Sequence, residues 1–373
     1  MLGAAWPSMR LALNLPLSGA GLISMIISAG TILSSLFSGR LIRRLGTSRL
    51  TTLSVLTTAL SLLGFSLSRS YLWLCLIALP LGLGAGAVDA ALNDFVARHY
   101  AARHMNWLHS FWGVGATAGP LIMAFMLTRT GVWQKGYRVV AIIQFALVGL
   151  LVFSGPLWPR PDGQAAQSFS EAPSQQRLLD IAGVKPALIG FFAYCAVETT
   201  AGLWGASFLV QQRGFTTGAA AGWVSAFYLG ITFGRMINGF LSMRFASHNL
   251  IRLGQVLISA GGLLLLLAPL PALSLIGLLL VGLGCAPIFP SMLHETPHRF
   301  GSQNSTRLMG VQMAVAYMGT TFVPPLAGLA FGAVGLWLYP LILLALAVVM
   351  MIATERVNHA VAGRLSPTAE DAL

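Results

Sequence analysis

Eleven apolar segments, each about 20 residues long and poor in charged residues, follow one another along the chain of 373 residues. This is the length that an α-helix needs to cross the hydrocarbon core of a bilayer. The alternating pattern of membrane β-strands is absent. The sequence therefore predicts an all-α membrane protein with eleven full transmembrane helices at 19–39, 50–68, 71–95, 107–127, 137–155, 187–210, 219–241, 250–270, 273–293, 308–328 and 336–353.

The composition excludes several other classes of protein. Charged residues make up 9% of the chain, against about 25% in a typical soluble domain. The net charge is +12, but the longest basic run is the pair Arg43 and Arg44, whereas a nucleic-acid surface would cluster its bases. The three cysteines lie in apolar runs without metal-ligand spacing. We expect no nucleic-acid partner, no metal and no cofactor.

A polar segment divides the predicted helices into two halves. We predict an N-terminal bundle at 1–156, a linker at 157–186, a C-terminal bundle at 187–354 and a tail at 355–373. With the linker in the cytoplasm, fifteen basic residues fall on the cytoplasmic side and six outside. The positive-inside rule therefore predicts a plasma (cell inner) membrane protein whose linker and C-terminus are cytoplasmic.

The two halves repeat each other at an offset of 200 residues. Internal repeats of helices are typical of secondary transporters, whose substrate site lies near the membrane midplane. The matched positions pair Gly30, Gly39, Leu41, Arg44, Gly82, Leu83 and Gly84 with Gly230, Gly239, Leu241, Arg244, Gly282, Leu283 and Gly284.

The segment SGRLIRRLGTSR resembles the loop between helices two and three of the major facilitators. Gly39, Arg44, Gly46 and Arg49 match that motif, whereas Arg43 stands where the family has Asp. The resemblance implies that Arg43 and Arg44 are gating or structural charges. A basic loop that anchors two helices explains the segment equally.

Three further segments, GLGAGAVDAALNDFVARHY, HMNWLHSFWGVGATAGP and VETTAGLWGASFL, resemble the fucose-permease-like branch of the major facilitators. The resemblance implies twelve helices in two pseudo-symmetric bundles, alternating access, and uptake of sugars with protons. The matching positions are Asp89, Asn93, Asn106, His109, Gly119, Pro120, Glu198, Gly202 and Trp204.

Ionisable residues are costly inside a membrane, so each one suggests a function. Asp89 and Asn93 share one helical face, and Asp89 is either a proton- or substrate-binding carboxylate or a satisfied helix contact. Asp94 lies about 140° around the helix from Asp89, so the two acids do not share a face, and Asp94 is interpreted as structural. Asn106 and His109 share a face and either bind substrate or protons or pack between helices.

Glu198 lies close to the midplane of its span, with Phe191 and Tyr194 on its face. An acid at that depth is typical of a cavity wall. On an ideal helix Trp204 lies about 120° around from Glu198. Trp204 is therefore interpreted either as a substrate contact or as a packing residue. Gln312 is a further candidate for substrate or proton binding, and Arg235 is interpreted as a structural charge partner.

The residues His294 to His298 spell HExxH, the signature of zinc proteases. That chemistry needs both histidines on one unbroken helical face, and Pro297 is expected to end the helix. An intramembrane protease is therefore rejected, and we expect no enzyme.

The repeat places the first helix at about −13 to 10, so the chain is expected to hold a stub of ten residues, which rises about 15 Å. A late start codon and a true eleven-helix remnant both explain this.

Our hypothesis is a monomeric secondary transporter in the lipid bilayer that moves a small polar solute, a sugar, with protons. The alternatives are proton-coupled efflux of drugs or metabolites and a transport-inactive sensor.

Overall fold

Twelve α-helices and two short 3₁₀ turns, without a β-strand, make up the regular structure of the described chain. The computed structural model describes residues 1–99, 102–158, 178–267 and 270–365, and their side chains except those of residues 39, 43, 94, 97–99, 102–107, 109, 302–307 and 362–365. The helices are α1 (Leu2–Ala12), α2 (Gly19–Leu45), α3 (Thr47–Ser66), α4 (Tyr71–His99), α5 (Ala102–Thr130), α6 (Trp133–Ser154), α7 (Val184–Arg213), α8 (Thr217–Leu241), α9 (Ser247–Leu267), α10 (Pro271–Phe300), α11 (Ser302–Ala333) and α12 (Leu338–Leu365).

A helix is present at each of the eleven predicted segments, as α2 to α12, and α1 is a shorter helix of 11 residues. Within the described ranges, nine helices are long and apolar enough to cross a membrane, namely all except α1, α3 and α8. Of the predicted segments, α3 and α8 are less apolar than the others. The helix α3 is rich in Ser and Thr, and α8 carries Arg235 and Asn238. The protein is a multi-pass membrane protein.

The expectation that Pro297 ends its helix is wrong. The helix α10 continues to Phe300 and ends at Gly301, whose positive φ of 85° suits a glycine. The Gly301 N–H donates to the carbonyl oxygen of Pro297 over 3.0 Å. A proline removes one backbone donor, yet α10 continues through Pro297 as it does through Pro287 and Pro290, because membrane helices tolerate prolines.

The connection between α2 and α3 consists of Gly46 alone, with a φ of 75° that favours glycine. Its N–H donates to the carbonyl oxygen of Ile42 over 2.9 Å. The basic segment that resembles the major facilitator loop therefore forms mainly the last turns of α2, on which Arg44 is exposed.

The helices form two compact units. Unit 1 comprises residues 1–168, 202–228 and 324–338, and unit 2 comprises 169–201, 229–323 and 339–373. In unit 1, α2 packs closely on α4 through glycines: a β-carbon at Gly30 would lie 2.8 Å from the carbonyl oxygen of Leu79 and 3.0 Å from the nitrogen of Leu83. The predicted boundaries at 156 and 187 stay a prediction.

Unit 2 repeats this packing 200 residues later. A β-carbon at Gly230 of α8 would lie 2.6 Å from the carbonyl oxygen of Leu279 and 2.9 Å from the nitrogen of Leu283 on α10. A second crossing is repeated in the same way, because Gly84 packs on the backbone of α3 in unit 1 and Gly284 packs on that of α9 in unit 2. The sequence repeat therefore corresponds to one helix-packing scheme used twice.

Candidate functional site

A cluster of polar and aromatic side chains surrounds Glu198 in unit 2. Tyr194 precedes Glu198 by one helical turn on α7, and its hydroxyl donates a hydrogen bond to Oε2 of the Glu198 carboxylate. This spacing places the two side chains on one face of the helix. Tyr194 is buried and Glu198 is half-buried, and the hydrogen bond from the tyrosine orients the carboxylate.

Arg235 brings a positive charge from α8 to the same place. Its guanidinium forms a side-chain hydrogen bond with Tyr194 and interacts electrostatically with Glu198. The sequence indicated only a structural charge partner for Arg235. The structure brings it together with Glu198, and the tyrosine hydroxyl interacts with both charged groups.

An aromatic wall completes the cluster. The ring of Phe289 on α10 lies 5.7 Å from that of Phe191 and 6.0 Å from that of Tyr194, centroid to centroid. Phe289 is half-buried, whereas Phe191 is buried. We name Tyr194, Glu198, Arg235 and Phe289 the Glu198 cluster. Apolar walls with a few placed polar groups are typical of sites for small molecules.

Sequence reasoning missed Phe289 and the role of Tyr194. The signal for Tyr194 was its spacing of four residues from Glu198. Phe289 gave no signal, because an aromatic residue in an apolar helix of a different span resembles any packing residue. Cys195 and Cys285 also face Glu198, and both are buried free thiols.

Asp89 and Asn93 form a second polar pair, in unit 1. The Asn93 amide donates to the Asp89 carbonyl oxygen over 2.9 Å and to its carboxylate Oδ1 over 3.1 Å. Asp89 is exposed and Asn93 half-buried. The side chains of Asn106, His109, Asp94 and Arg43 lie outside the described part of the protein.

Trp204 is a fully buried packing residue of unit 1. Its indole Nε1–H donates to the carbonyl oxygen of Pro324 over 2.9 Å, and its ring meets that of Phe331 at 5.6 Å. The donor and the ring are therefore both engaged by α11. A substrate role for Trp204 remains a prediction that this geometry does not favour.

Gln312 on α11 is buried in unit 2, beside Thr296 near the end of α10. Its side-chain oxygen accepts a hydrogen bond of 3.1 Å from the Thr296 hydroxyl. Gln312 also lines a small cleft with Phe191 and Met292. These contacts favour a structural role at this end of unit 2.

The HExxH segment is helical, with the rings of His294 and His298 5.5 Å apart. Its glutamate, Glu295, pairs with Arg299 over 2.7 Å. Among the described side chains no group of three His, Cys, Asp or Glu residues could hold a metal ion.

Glycines bring helices from the two sequence halves together within unit 1. A β-carbon at Gly21 on α2 would lie 2.7 Å from Cα of Pro325 on α11. A β-carbon at Gly3 on α1 would overlap the carbonyl oxygen of Gly202 on α7, and one at Gly218 on α8 would press on Thr128 of α5. These three approaches leave no room for side chains.

An all-helical, multi-pass fold with charged side chains on its long helices is one that transporters of small solutes share. The chain belongs to the Major Facilitator Superfamily, whose family model matches residues 1–224 and 186–370. The glucose/mannose transporter GlcP of Bacillus subtilis (strain 168) is 25% identical over 310 residues, covering 78% of this chain and 74% of that protein.

Solved structures show the same fold. A mutant of the nucleoside transporter NupG superposes with a TM-score of 0.75 at 14% identity, covering 96% of this chain and 94% of that one. A variant of the E. coli fucose:proton symporter FucP superposes with a TM-score of 0.62 at 18% identity, covering 95% and 93%. At such identities the likeness concerns the fold alone.

Proposed function

We propose that this protein is a monomeric secondary active transporter of a small polar solute of the sugar class, driven by protons through alternating access. The observation that carries the proposal is the Glu198 cluster, in which a half-buried glutamate accepts a hydrogen bond from a tyrosine hydroxyl and interacts electrostatically with an arginine. A carboxyl group in a low-dielectric site is suited to gaining and losing a proton during transport.

The names of two similar proteins support the sugar class, because GlcP is a glucose/mannose transporter and FucP a fucose:proton symporter. We further propose a plasma (cell inner) membrane location with a cytoplasmic linker and C-terminus, supported by the distribution of basic residues.

The test has two stages. Purified protein is first screened for ligands that raise its melting temperature, using sugars, polyols and lipophilic drugs. Uptake of the binders into proteoliposomes is then driven by a pH gradient. We expect saturable uptake of one polar solute, whereas binding of several apolar compounds would indicate efflux, and binding without flux would indicate a sensor.

Two variants test the coupling. Glu198→Gln and Asp89→Asn keep the shape of each side chain but cannot titrate. We expect both variants to lose proton-driven accumulation, while exchange survives in at least one. Accumulation at the wild-type level in both variants would contradict the assignment of protons to these carboxylates.

A further inference from the structure

Exposed arginines gather where α2 meets α3 in unit 1. Arg40 and Arg44 lie about one helical turn apart on one face of α2, and Arg49 follows in the first turn of α3. All three are exposed. The Cζ atom of Arg40 lies 5.7 Å from the ring centroid of Phe37. We name Arg40, Arg44 and Arg49 the arginine corner.

The charge of the arginine corner is not balanced by the surrounding helices. Among the described side chains, no carboxylate forms an ion pair with any of the three arginines, whereas Arg252 and Arg299 of unit 2 each bind a glutamate. The first acidic residue of the sequence is Asp89, so residues 1–88 contribute positive charge alone. The corner therefore offers its charge to an external anion.

An apolar stripe leads up to the corner along the same face of α2. Its residues are exposed and lie within about 60° of Leu33 on the helical wheel, as do Arg40 and Arg44. Another face of α2 packs on the core that α3 and α4 form. From Leu33 to Arg40 the helix rises about 10 Å, so an apolar surface runs directly into positive charge. The stripe consists of Leu33, Leu36 and Phe37.

The repeat in unit 2 shows that the fold does not require this basic corner. The exposed apolar stripe recurs on α8, 200 residues later. However, the residues that correspond to Arg40 and Arg49 are Phe240 and Asn249. The same helix packing is thus built without these two arginines, and their presence in unit 1 indicates a function of their own. The stripe on α8 consists of Phe233, Met236 and Ile237.

We propose that the arginine corner binds the phosphate of an anionic phospholipid, whose acyl chains lie along the apolar stripe. A guanidinium binds phosphate through two parallel hydrogen bonds, and basic clusters at the end of a membrane helix attract anionic lipids. A free phosphate ion would leave the stripe unused, which favours the lipid. The inference concerns a lipid partner and does not depend on the transported solute.

The experiment uses the full chain in detergent micelles, with dioleoylphosphatidylglycerol or dioleoylphosphatidylcholine added. The two lipids have the same acyl chains, but only phosphatidylglycerol carries a net negative charge. Bound lipids are counted by native mass spectrometry over a range of concentrations, which gives an apparent Kd. We expect the wild type to bind phosphatidylglycerol about tenfold or more tightly than phosphatidylcholine, because each basic residue strengthens the attraction about fivefold.

Variants locate the lipid at the corner. The double variant Arg40→Gln/Arg44→Gln should bind phosphatidylglycerol about 25-fold more weakly, at a melting temperature close to that of the wild type, because both side chains are exposed. The double variant Arg40→Lys/Arg44→Lys keeps the charge and should keep most of the binding. The matched control is Arg244→Gln, which removes the exposed counterpart of Arg44 in unit 2 and should leave binding unchanged.

Four outcomes would overturn the inference: equal binding of the two lipids, wild-type binding of phosphatidylglycerol in the double glutamine variant, an equal loss in Arg244→Gln, or displacement of the lipid by millimolar inorganic phosphate. The last outcome would indicate a site for free phosphate. If the double glutamine variant does not fold, Arg40→Gln alone decides, with an expected loss of about fivefold.

Discussion

The hydroxyl of Tyr194 donates a hydrogen bond to the carboxylate of Glu198, one turn further along α7. Tyr194 also contacts Arg235, so this hydroxyl links the two charges of the cluster.

We expect Tyr194→Phe to fold, because the ring and its packing on Phe289 are kept. The loss of a hydrogen bond to a charged group should weaken proton-driven uptake by about tenfold, measured as the ratio of kcat to KM in proteoliposomes. Tyr339→Phe is the matched control, since that buried hydroxyl donates to the carbonyl oxygen of Ala201 over 3.2 Å. Equal transport losses in the two variants would contradict a specific role for Tyr194.

The variant Trp204→Phe tests whether Trp204 is a packing residue or a substrate contact. The smaller ring keeps contact with Phe331 but cannot donate to the Pro324 carbonyl oxygen. Pro324 lies inside α11, so its carbonyl oxygen keeps the helical N–H four residues further on. The lost indole hydrogen bond should cost about 1 kcal/mol of folding free energy, so we expect a lower melting temperature. KM should stay within about twofold of wild type, because no direct contact is lost. A large rise in KM at unchanged stability would instead support a substrate contact.

Gln312→Leu is expected to lower stability and to leave KM unchanged in the folded fraction. The substitution removes the acceptor of the Thr296 hydroxyl, which keeps a second acceptor in the carbonyl oxygen of Met292 at 3.1 Å. The cost should therefore be about 1 kcal/mol. A KM raised about tenfold would favour the substrate role predicted for Gln312 from the sequence.

Gly82→Ala should destabilise the protein strongly, because a β-carbon there would overlap the carbonyl oxygen of Ile27 on α2. Overpacking of this kind typically costs about 1–3 kcal/mol, and it is measured as a lower melting temperature in detergent. Gly149→Ala on α6 is the control, since a β-carbon at that glycine meets no neighbouring atom within 4 Å. Similar melting temperatures for the two variants would contradict close packing of α2 on α4.

The helices and their repeat could be predicted from the sequence for a physical reason. A bilayer demands long apolar helices, and close helix packing demands small residues. Both demands leave a pattern that can be read locally. Gly30 and Gly230 matched in sequence, and each packs against the corresponding backbone of its own unit.

The site was only partly predictable, because a polar side chain in a helix does not reveal what it faces. Glu198 was found from its depth, but the contact of Arg235 with Tyr194 joins two helices and depends on their packing. Trp204 matched a family motif, yet its indole donates to α11. Pro297 was misjudged because membrane helices tolerate prolines, and α10 also contains Pro287 and Pro290.

The glycine approaches of unit 1 make the protein suitable for conformational trapping. Gly3, Gly21 and Gly218 lie where helices of the two sequence halves touch without side chains between them. If the protein works by the proposed alternating access, a bulkier residue at any of the three acts as a wedge and favours the arrangement in which these helices are apart. Such arrested variants would provide homogeneous samples for cryo-electron microscopy and for raising antibodies that recognise one conformation.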